Sequence, residues 1–237
     1  MSRTILITGS SSGIGLSVTR HLLEQNHKVI GISRRAQIES SPLFTHYQID
    51  LSNLKLLPKE MQKILKKHPD IDFLFLNAGY GQLANLEEIS YPCIENLISM
   101  NLTQTAFLTK AFLPHLKKQS HANLVFNLST CALAGYHSFS TYCASKFGLR
   151  GFAQSIRDEC ANTKVHVTSL LPGMVRTHFF DQEPLGPSDD SCEAIEPGDF
   201  GPIFDLLLQT RTGTVIEEIV LRPQRKGIKK RKSSLKN

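Results

Sequence analysis

The feature that most constrains the fold is a glycine-rich turn between a short apolar run and a helical pattern. The run Thr4–Thr8 has the length and composition of a buried parallel strand. The turn Gly9-Ser-Ser-Ser-Gly-Ile-Gly15 follows, and after it apolar residues recur at helical spacing. This order predicts a dinucleotide-binding unit, because glycine lets the backbone approach a pyrophosphate and the helix amides face the anion. The spacing Gly-x-x-x-Gly-x-Gly differs from the Gly-x-Gly-x-x-Gly of other dinucleotide-binding enzymes.

The remainder of the chain repeats the alternation of strand and helix patterns. The further predicted strands are Lys28–Ser33, Thr45–Asp50, Asp72–Asn77, Asn123–Ser129, Lys164–Leu171 and Thr214–Leu221. The predicted helices lie in Ser52–His68 (interrupted early by Pro58), Cys93–Leu116, Thr141–Cys160 and Phe200–Gln209. Such alternation predicts an α/β fold with a doubly wound parallel sheet, of the Rossmann type, with about seven strands and helices on both faces.

Length and charge predict how the chain is divided. A chain of 237 residues is long enough for one well-buried α/β domain, which we place at residues 1–223. The net charge of +6 is concentrated in residues 222–237, which hold eight lysines or arginines and no acid. We therefore predict a basic, disordered tail over residues 224–237. Residues 174–202 show no periodicity, which is typical of either a functional lid or a disordered segment. We expect this segment to be the loop on the substrate side of the domain.

The composition also bears on the compartment. No run approaches the roughly 18 apolar residues of a membrane-spanning helix, and the first residues lack the pattern of a signal peptide. The five cysteines form no C-x-x-C pair and no metal-like cluster with the histidines, so we predict no metal site. An odd number of cysteines without a secretory signal fits reduced thiols, and we predict a cytoplasmic protein.

The candidate catalytic residues lie between Ser129 and Lys146. If the segment that opens near Thr141 is helical, Tyr142 and Lys146 lie one above the other on the same face. An adjacent ammonium favours the phenolate and so lowers the pKa of a phenol, which is otherwise about 10. With the Ser129 hydroxyl at the end of the preceding strand, such a pair suits proton transfer to or from an alcohol oxygen. A Tyr-x-x-x-Lys spacing also arises by chance, in which case the tyrosine merely packs beside a solvated lysine.

Two positions bear on the choice of cofactor. The second predicted strand is followed by Arg34 and Arg35, and no residue from 31 to 36 is acidic. An acidic residue there would bind the ribose hydroxyls of NAD, whereas arginine suits the 2′-phosphate of NADP. The sequence therefore favours NADP, with NAD as the alternative. Asp50, at the end of the third strand, either meets the adenine or caps the segment that follows.

Taken together, these motifs resemble the short-chain dehydrogenase/reductase family over roughly residues 3–223. The family's cofactor turn is similar to Thr8-Gly9-x-x-x-Gly13-Ile14-Gly15. Its Asn-Asn-Ala-Gly signature is similar to Asn77-Ala78-Gly79, with Leu76 in place of the first asparagine. The family's four catalytic residues match Asn101, Ser129, Tyr142 and Lys146. Its segment that contacts the nicotinamide carboxamide matches Pro172-Gly173 with Thr177.

The resemblance implies an oxidoreductase that transfers a hydride between NADP and a carbonyl or secondary alcohol. In that family Tyr142 would be the general acid in reduction and the base in oxidation. Lys146 would lower the pKa of the phenol and hold the nicotinamide ribose. Ser129 would orient the substrate oxygen, and Asn101 would position a water that links Lys146 to solvent.

The resemblance also implies which residues contact the cofactor. They are Gly9, Ser11, Ser12, Gly13, Ile14, Gly15, Arg34, Arg35, Asp50, Leu51, Asn77, Ala78, Gly79, Tyr142, Lys146, Pro172, Gly173, Val175 and Thr177. Two positions depart from the family pattern. Ser12 stands where members that prefer NADP often have a basic residue. Ala132 stands where a glycine is usual, which leaves Thr130 as an alternative to Ser129 for the catalytic hydroxyl.

The partners expected from the resemblance are a small carbonyl or alcohol substrate and further copies of the chain. Relatives pair through the helices that here carry Asn101 and Tyr142, so we expect a homodimer or homotetramer. We expect no nucleic-acid partner, although a basic tail is able to touch anionic surfaces. The alternative function is a dinucleotide sensor or scaffold with the same fold and no catalysis. The sequence does not identify the substrate.

Overall fold

The fold is organised around a parallel β-sheet made from the apolar runs of the sequence. The structure is a computed structural model that describes residues 2–38, 41–181 and 183–230. Its strands are β1 (Thr4–Thr8), β2 (Lys28–Ser33), β3 (Phe44–Gln48), β4 (Phe73–Leu76), β5 (Ala122–Asn127), β6 (Val165–Pro172), β7 (Leu185–Pro187), β8 (Glu218–Leu221) and β9 (Ile228–Lys230). Seven of them form one parallel sheet in the order β3-β2-β1-β4-β5-β6-β8. The predicted doubly wound parallel sheet is confirmed.

The strand order reverses at β1, which has β2 on one side and β4 on the other. Ile5 is paired with Val29 of β2 and with Phe73 of β4. From β1 the chain first extends the sheet to β3, then crosses back and extends it from β4 to β8. Ligands of open α/β sheets bind outside the carboxyl ends of the strands at such a switch point. The expected site therefore lies just beyond Thr8 and Leu76.

Helices cover both faces of the sheet. They are α1 (Gly13–Glu24), α2 (Leu57–Lys67), α3 (Tyr91–Ile98), α4 (Gln104–Leu116), α5 (Ser140–Cys160) and α6 (Gly201–Gln209). α1 and α6 share one apolar core, which includes Val18 and Phe204. α2, α4 and α5 share the other, which includes Met61, Phe112 and Leu149. In the part of the chain that the structure describes, no helix combines the length and the apolar character needed to cross a membrane.

Two helices differ in detail from the sequence prediction. In Ser52–His68 the helix begins only at Leu57, and Pro58 lies in its first turn. Proline is tolerated there because the first amides of a helix have no partner within it. The helix predicted as Cys93–Leu116 begins at Tyr91 and is α-helical on both sides of a π-helical segment, Ser99–Thr103.

The described C-terminal residues depart from the prediction of a disordered tail over residues 224–237. In the described part of that tail, residues 224–230, β9 pairs antiparallel with β7, which lies inside the substrate-side loop. Residues 231–237 lie outside the described residues. A two-stranded pairing between segments so far apart leaves no local pattern in the sequence, so the composition of the tail did not indicate it.

Opposite charges accompany this pairing. Arg225 forms an ion pair with Asp190 at 2.7 Å, and Lys229 forms one with Asp189. Exposed pairs of this kind contribute little to stability. They do show that two cations of the tail face the acidic part of the loop rather than solvent alone.

A polar cluster lies at the amino ends of the strands, at the sheet edge opposite the glycine turn. The rings of His121 and His166 meet edge to face with centroids 4.5 Å apart. Burial lowers the pKa of both imidazoles, and the charge of Arg3 lowers them further. Arg3 in turn pairs with Asp72 at 2.5 Å. Both histidines are therefore held in their neutral form within the fold.

This cluster predicts a loss of stability in mild acid. Because the folded-state pKa of each histidine lies below 6.5, the unfolded chain binds protons first as the pH falls. The stabilisation is complete above about pH 6.5 and decreases below it, by on the order of 1 kcal/mol by pH 5.5. Urea midpoints measured between pH 7.5 and 5.5 should show the decrease. The double variant His121→Gln/His166→Gln should show a smaller one, and the exposed control His178→Gln should behave as the parent; equal pH dependence in all three would contradict the prediction.

Candidate active site

The structure brings together the predicted tyrosine and lysine. Tyr142 and Lys146 lie in the first two turns of α5 and are 7% and 5% exposed. The Nζ atom of Lys146 lies 5.7 Å from the centroid of the Tyr142 ring. It also donates a hydrogen bond of 2.8 Å to the carbonyl oxygen of Asn127, at the end of β5. The pair is thus fixed at the carboxyl edge of the sheet.

The electrostatics of this pair differ from the sequence expectation. Burial raises the pKa of the Tyr142 phenol well above its ordinary value, and hydrogen bonding with Ser129 offsets only part of that effect. Burial also lowers the pKa of Lys146 to about 8. Desolvation therefore outweighs the attraction between ammonium and phenolate that the sequence suggested. Burial therefore keeps the phenol protonated at neutral pH.

Ser129 is the hydroxyl that meets the phenol. It lies just after β5, at the start of the 3₁₀ turn Thr130–Ala132, and is 8% exposed. Its Oγ accepts a hydrogen bond of 3.1 Å from the Cys131 amide and lies close enough to the Tyr142 phenol to lower its pKa. Thr130 is also buried, but the hydrogen bond that affects the phenol comes from Ser129. Of the two alternatives, the geometry favours Ser129.

Two thiols complete the surroundings of the phenol. Cys131 is half-buried and Cys143 is 5% exposed, and neither is in a disulfide. Burial raises the pKa of Cys131 to about 12, so its thiol is protonated at neutral pH. A neutral, buried cysteine packs as a small apolar side chain. This agrees with the view that the two residues fill space beside Tyr142.

Asn101 has a structural role at the edge of the site. It lies in the π-helical segment and is 1% exposed. Its Oδ1 accepts a hydrogen bond of 3.0 Å from the Tyr80 amide, and its Nδ2 donates to the Tyr80 carbonyl at 2.8 Å and to Ser145 at 3.1 Å. It therefore ties the loop after β4 to α5. π-helical insertions are frequent at functional sites, and the water-positioning role of Asn101 stays a prediction.

Hydrogen bonds connect the ends of three strands to the lysine. The Asn77 amide donates to Thr8 Oγ1 at 2.9 Å, and Asn127 Nδ2 donates to Asn77 Oδ1 at 2.9 Å. Lys146 then donates to the Asn127 backbone carbonyl. The sequence analysis missed Asn127, although a polar residue that ends an apolar strand is a usable signal. Its Oδ1 is buried and has no partner among the described residues.

The backbone of the glycine turn has a conformation and a close packing that favour glycine. Gly9 and Gly13 have positive φ angles of 69° and 53°. A Cβ atom at Gly15 would lie 2.3 Å from the Gly9 carbonyl oxygen and 2.6 Å from Asn77 Nδ2. Ser11, Ser12 and Ile14 belong to the same turn and the start of α1. The backbone at the amino end of α1 is therefore open to an anion.

Ser10 is a second residue that the sequence analysis missed. It is 2% exposed, and its Oγ has no hydrogen-bond partner among the described residues. A Cβ atom at Gly31 would lie 2.5 Å from this oxygen. An unpaired buried hydroxyl between the turn and β2 is what a ligand hydroxyl or phosphate would satisfy. The turn thus fits the dinucleotide that its sequence implies.

The residues predicted for the adenosine side lie at the ends of β2 and β3. Arg34 and Arg35 are exposed. Asp50 accepts hydrogen bonds from the Ser52 amide and hydroxyl at 3.0 and 2.8 Å, which lower the pKa of its carboxyl, and Arg34 lowers it further. Asp50 thus does cap the turn that follows it. Leu51 is 4% exposed and packs in the core.

The remaining predicted cofactor residues surround the same edge. Ala78 donates its amide to Thr8, and a Cβ atom at Gly79 would lie 3.8 Å from Lys146 Nζ. β6 ends at Pro172, and Gly173 donates its amide to the Leu221 carbonyl at 2.8 Å. Two further residues come from the following loop: Val175 is buried, and Thr177 Cγ2 would lie 3.1 Å from a Cβ atom at Gly13.

Comparisons with known proteins agree with this geometry. The sequence model of the family described as short chain dehydrogenase matches residues 3–186. The sepiapterin reductase of Chlorobaculum tepidum is 29% identical over 242 residues, which cover 94% of this chain and 97% of that protein. The NADP-dependent 3-hydroxy acid dehydrogenase of Schizosaccharomyces pombe is 27% identical, with coverage of 95% and 94%.

Solved structures share the fold. The alcohol dehydrogenase of the archaeon Thermococcus sibiricus, in complex with 5-hydroxy-NADP, superposes with a TM-score of 0.83. That alignment covers 96% of this chain and 99% of the other, at 22% identity. At this level of identity the likeness supports the fold rather than a particular substrate.

Proposed function

Because the chain belongs to the short-chain dehydrogenase family, we propose that it is an NADP-dependent oxidoreductase in which Tyr142 is the general acid and base. Its substrate is a carbonyl compound or the corresponding secondary alcohol. The observation that carries the proposal is the position of the buried Tyr142 phenol. It lies beside Ser129 and Lys146, at the same sheet edge as the glycine turn.

The residues that would hold NADP are those of the glycine turn and the strand ends around it. The unpaired Ser10 hydroxyl, the open glycine turn and the exposed Arg34 and Arg35 all fit a phosphorylated dinucleotide. When bound, NADP supplies or accepts the hydride at C4 of its nicotinamide. One relative is named as NADP-dependent, and one structural neighbour was solved with an NADP derivative. Both support NADP over NAD.

The chain's own part of the reaction is proton transfer and orientation. In the reductive direction Tyr142 donates the proton of its hydroxyl to the substrate oxygen, and in oxidation it accepts that proton. Ser129 donates a hydrogen bond to the same oxygen and so fixes its direction. Lys146, with a pKa of about 8, holds an ammonium near the phenolate that forms on donation. A water held by Asn101 would return the proton from solvent.

Arg34 and Arg35 predict the preference between the two dinucleotides. Charge-assisted bonds from arginine to a phosphate contribute about 2 kcal/mol, or about thirtyfold in Kd. The variant Arg34→Ser/Arg35→Ser should therefore bind NADPH about thirtyfold more weakly and NADH nearly as before. Fluorescence titration with both nucleotides measures this. The exposed arginine Arg211, changed to serine, is the control, and an equal loss for both nucleotides would refute the assignment.

We also propose that the chain assembles through the outer face of α5. Phe147 is 45% exposed there, and Gly151 has open space where a side chain would be. On α4, Phe107 is 39% exposed. An apolar helix face with small residues suits close packing against a second copy of the same helix. This would make the homodimer or homotetramer that the family resemblance implies.

The test of this assembly is a charge on α5. Phe147→Asp should convert the oligomer into smaller species in light scattering after size exclusion, because it places a carboxylate in an apolar interface. Leu206→Asp, at an apolar residue that is 52% exposed on α6, should leave the mass unchanged. A parent protein that is monomeric at micromolar concentration would contradict the proposal.

The alternative function, a dinucleotide sensor without catalysis, predicts NADPH binding and no turnover over a broad panel of carbonyl compounds. The presence of the tyrosine, the lysine and the serine in one cluster favours the enzyme.

Contact of the tail with anionic surfaces stays a separate hypothesis. Two of the tail's cations, Arg225 and Lys229, already pair with carboxylates of the loop. Removal of residues 224–237 should abolish salt-sensitive binding to anionic vesicles if that hypothesis holds.

A further inference from the structure

Phenylalanine rings surround the catalytic phenol on its substrate side. Phe139, just before α5, meets the Tyr142 ring edge to face with centroids 5.4 Å apart. Phe179, from the loop after β6, meets the same ring at 5.8 Å. Phe180 packs behind Phe179 at 4.9 Å. Two separate segments therefore supply phenylalanine rings that contact the Tyr142 ring, and we call these rings the aromatic wall.

Gly81 makes room for Phe179 in this wall. A Cβ atom at Gly81 would lie 2.6 Å from Phe179 Cζ and 3.5 Å from Tyr142 Cδ2. The Phe179 ring thus lies between the backbone of the loop after β4 and the catalytic ring. Any larger residue at position 81 would displace it.

The basic side chains of the loop that carries Phe179 already pair with other groups of the protein. Within the described residues of the substrate-side loop from 174 to 183, the basic side chains are Arg176 and His178. Arg176 bonds to Glu196 at 2.6 Å and to two backbone carbonyls, and His178 is exposed and pairs with Asp181 at 2.7 Å. Glu183 accepts a hydrogen bond of 2.8 Å from the Leu83 amide.

Lys146 also has a hydrogen-bond partner within the protein. Lys146 donates to the Asn127 carbonyl and lies against the Tyr142 ring. The phenol therefore has aromatic rings beside it, and the three basic side chains named here already have partners in the protein. A substrate with a carboxylate or phosphate near its carbonyl would lose hydration there without gaining an ion pair. A flat apolar group would pack against the phenylalanines.

We propose that Phe179 is the residue that selects the substrate, and that the substrate is an uncharged ketone or aldehyde with an aromatic group beside its carbonyl, or the corresponding alcohol. The inference rests on the proposed function for the identity of the reacting group. It adds the chemical class of the attached group and the side chain that recognises it. The Phe179 ring packs against that group while Tyr142 and Ser129 bind the oxygen.

The test compares three ketones with NADPH as reductant: acetophenone, butanone and phenylglyoxylate, the last carrying a carboxylate in place of the methyl group of acetophenone. The parent enzyme should have a kcat/KM for acetophenone that exceeds the other two by at least about tenfold. Phe179→Ala should reduce kcat/KM for acetophenone about tenfold or more and for butanone less than about threefold. Gly81→Ala should reproduce that loss, because its Cβ displaces the ring.

Controls separate selection from general damage. Phe179→Leu keeps apolar bulk and should lie between the parent and Phe179→Ala, whereas His178→Ala, at an exposed neighbour in the same loop, should keep the parent's selectivity. Thermal unfolding of each variant shows whether the fold is retained. Preference for phenylglyoxylate, or an equal loss for acetophenone and butanone in Phe179→Ala, would overturn the inference.

A second measurement keeps the inference separate from the proposed function. If the parent reduces none of the ketones, the enzymatic proposal fails. The affinity of the protein for the ketones then tests the aromatic site by itself. Acetophenone and phenylglyoxylate are titrated into the NADPH-saturated protein and followed by the fluorescence of bound NADPH. Tighter binding of acetophenone, weakened about tenfold by Phe179→Ala, supports the aromatic site. Absence of acetophenone binding, or binding that Phe179→Ala leaves unchanged, would sink it.

Discussion

Replacing Tyr142 by phenylalanine should lower kcat/KM by about 10²–10⁴-fold while leaving the Kd for NADPH within about threefold of the parent. The change removes only the hydroxyl, which burial keeps protonated and which we propose as the proton donor. The ring contacts with Phe139 and Phe179 remain, so the fold and the walls of the site should be unaffected. Stopped-flow or steady-state oxidation of NADPH, together with nucleotide titration, measures both quantities.

The control for this prediction is Tyr136→Phe, because Tyr136 is 46% exposed in the loop before α5 and removal of its hydroxyl should cost little. Full activity of Tyr142→Phe would exclude the phenol as the proton donor. Weak NADPH binding by that variant would show that the residue supports the cofactor site instead. A loss of turnover with intact binding is the result expected from general acid catalysis.

Replacing Gly15 by alanine should weaken NADPH binding by about 100-fold or more, equivalent to about 3 kcal/mol. The added methyl group would lie 2.3 Å from the Gly9 carbonyl oxygen and 2.6 Å from Asn77 Nδ2, so the turn must move. Alanine is otherwise the better helix former in α1, which means that the loss cannot be attributed to helix propensity. Fluorescence titration with NADPH measures the effect.

Gly135→Ala is the matched control, since nothing lies within 4 Å of a Cβ atom at that position. It should bind NADPH as the parent does. If Gly15→Ala also retains the parent's affinity, the glycine turn does not hold the pyrophosphate. Circular dichroism and thermal unfolding show whether either variant has lost its structure rather than its ligand.

The parallel sheet was accessible from the sequence because its central strands are buried on both faces. Such strands appear as short, nearly continuous apolar runs, of which Thr4–Thr8 and Lys28–Ser33 are examples. The glycine turn after β1 and the four-residue spacing of Tyr142 and Lys146 are local patterns too. Each is set by the geometry of one turn or one helix face, and no distant residue is needed to interpret it.

Other features depend on residues far apart in the chain. The pairing of β7 with β9 and the contact of Phe179 with Gly81 join segments that have no shared periodicity. The direction of the Tyr142 pKa shift depends on burial, which a spacing rule does not report. The π-helical segment at Asn101 leaves the helical periodicity almost intact, so the sequence suggested a regular helix there.

The short ribbon formed by β7 and β9 has a practical consequence for work on this enzyme. One of its strands belongs to the loop that contributes Phe179, and the other lies beyond the last strand of the main sheet. Proteolytic cleavage near Lys230, or a purification tag fused there, would disturb the pairing of β9 with β7. The loop that carries Phe179 would then change its position, and with it the shape of the substrate pocket. A truncated protein and the intact protein could then differ in substrate preference even if both bind the nucleotide with the same affinity.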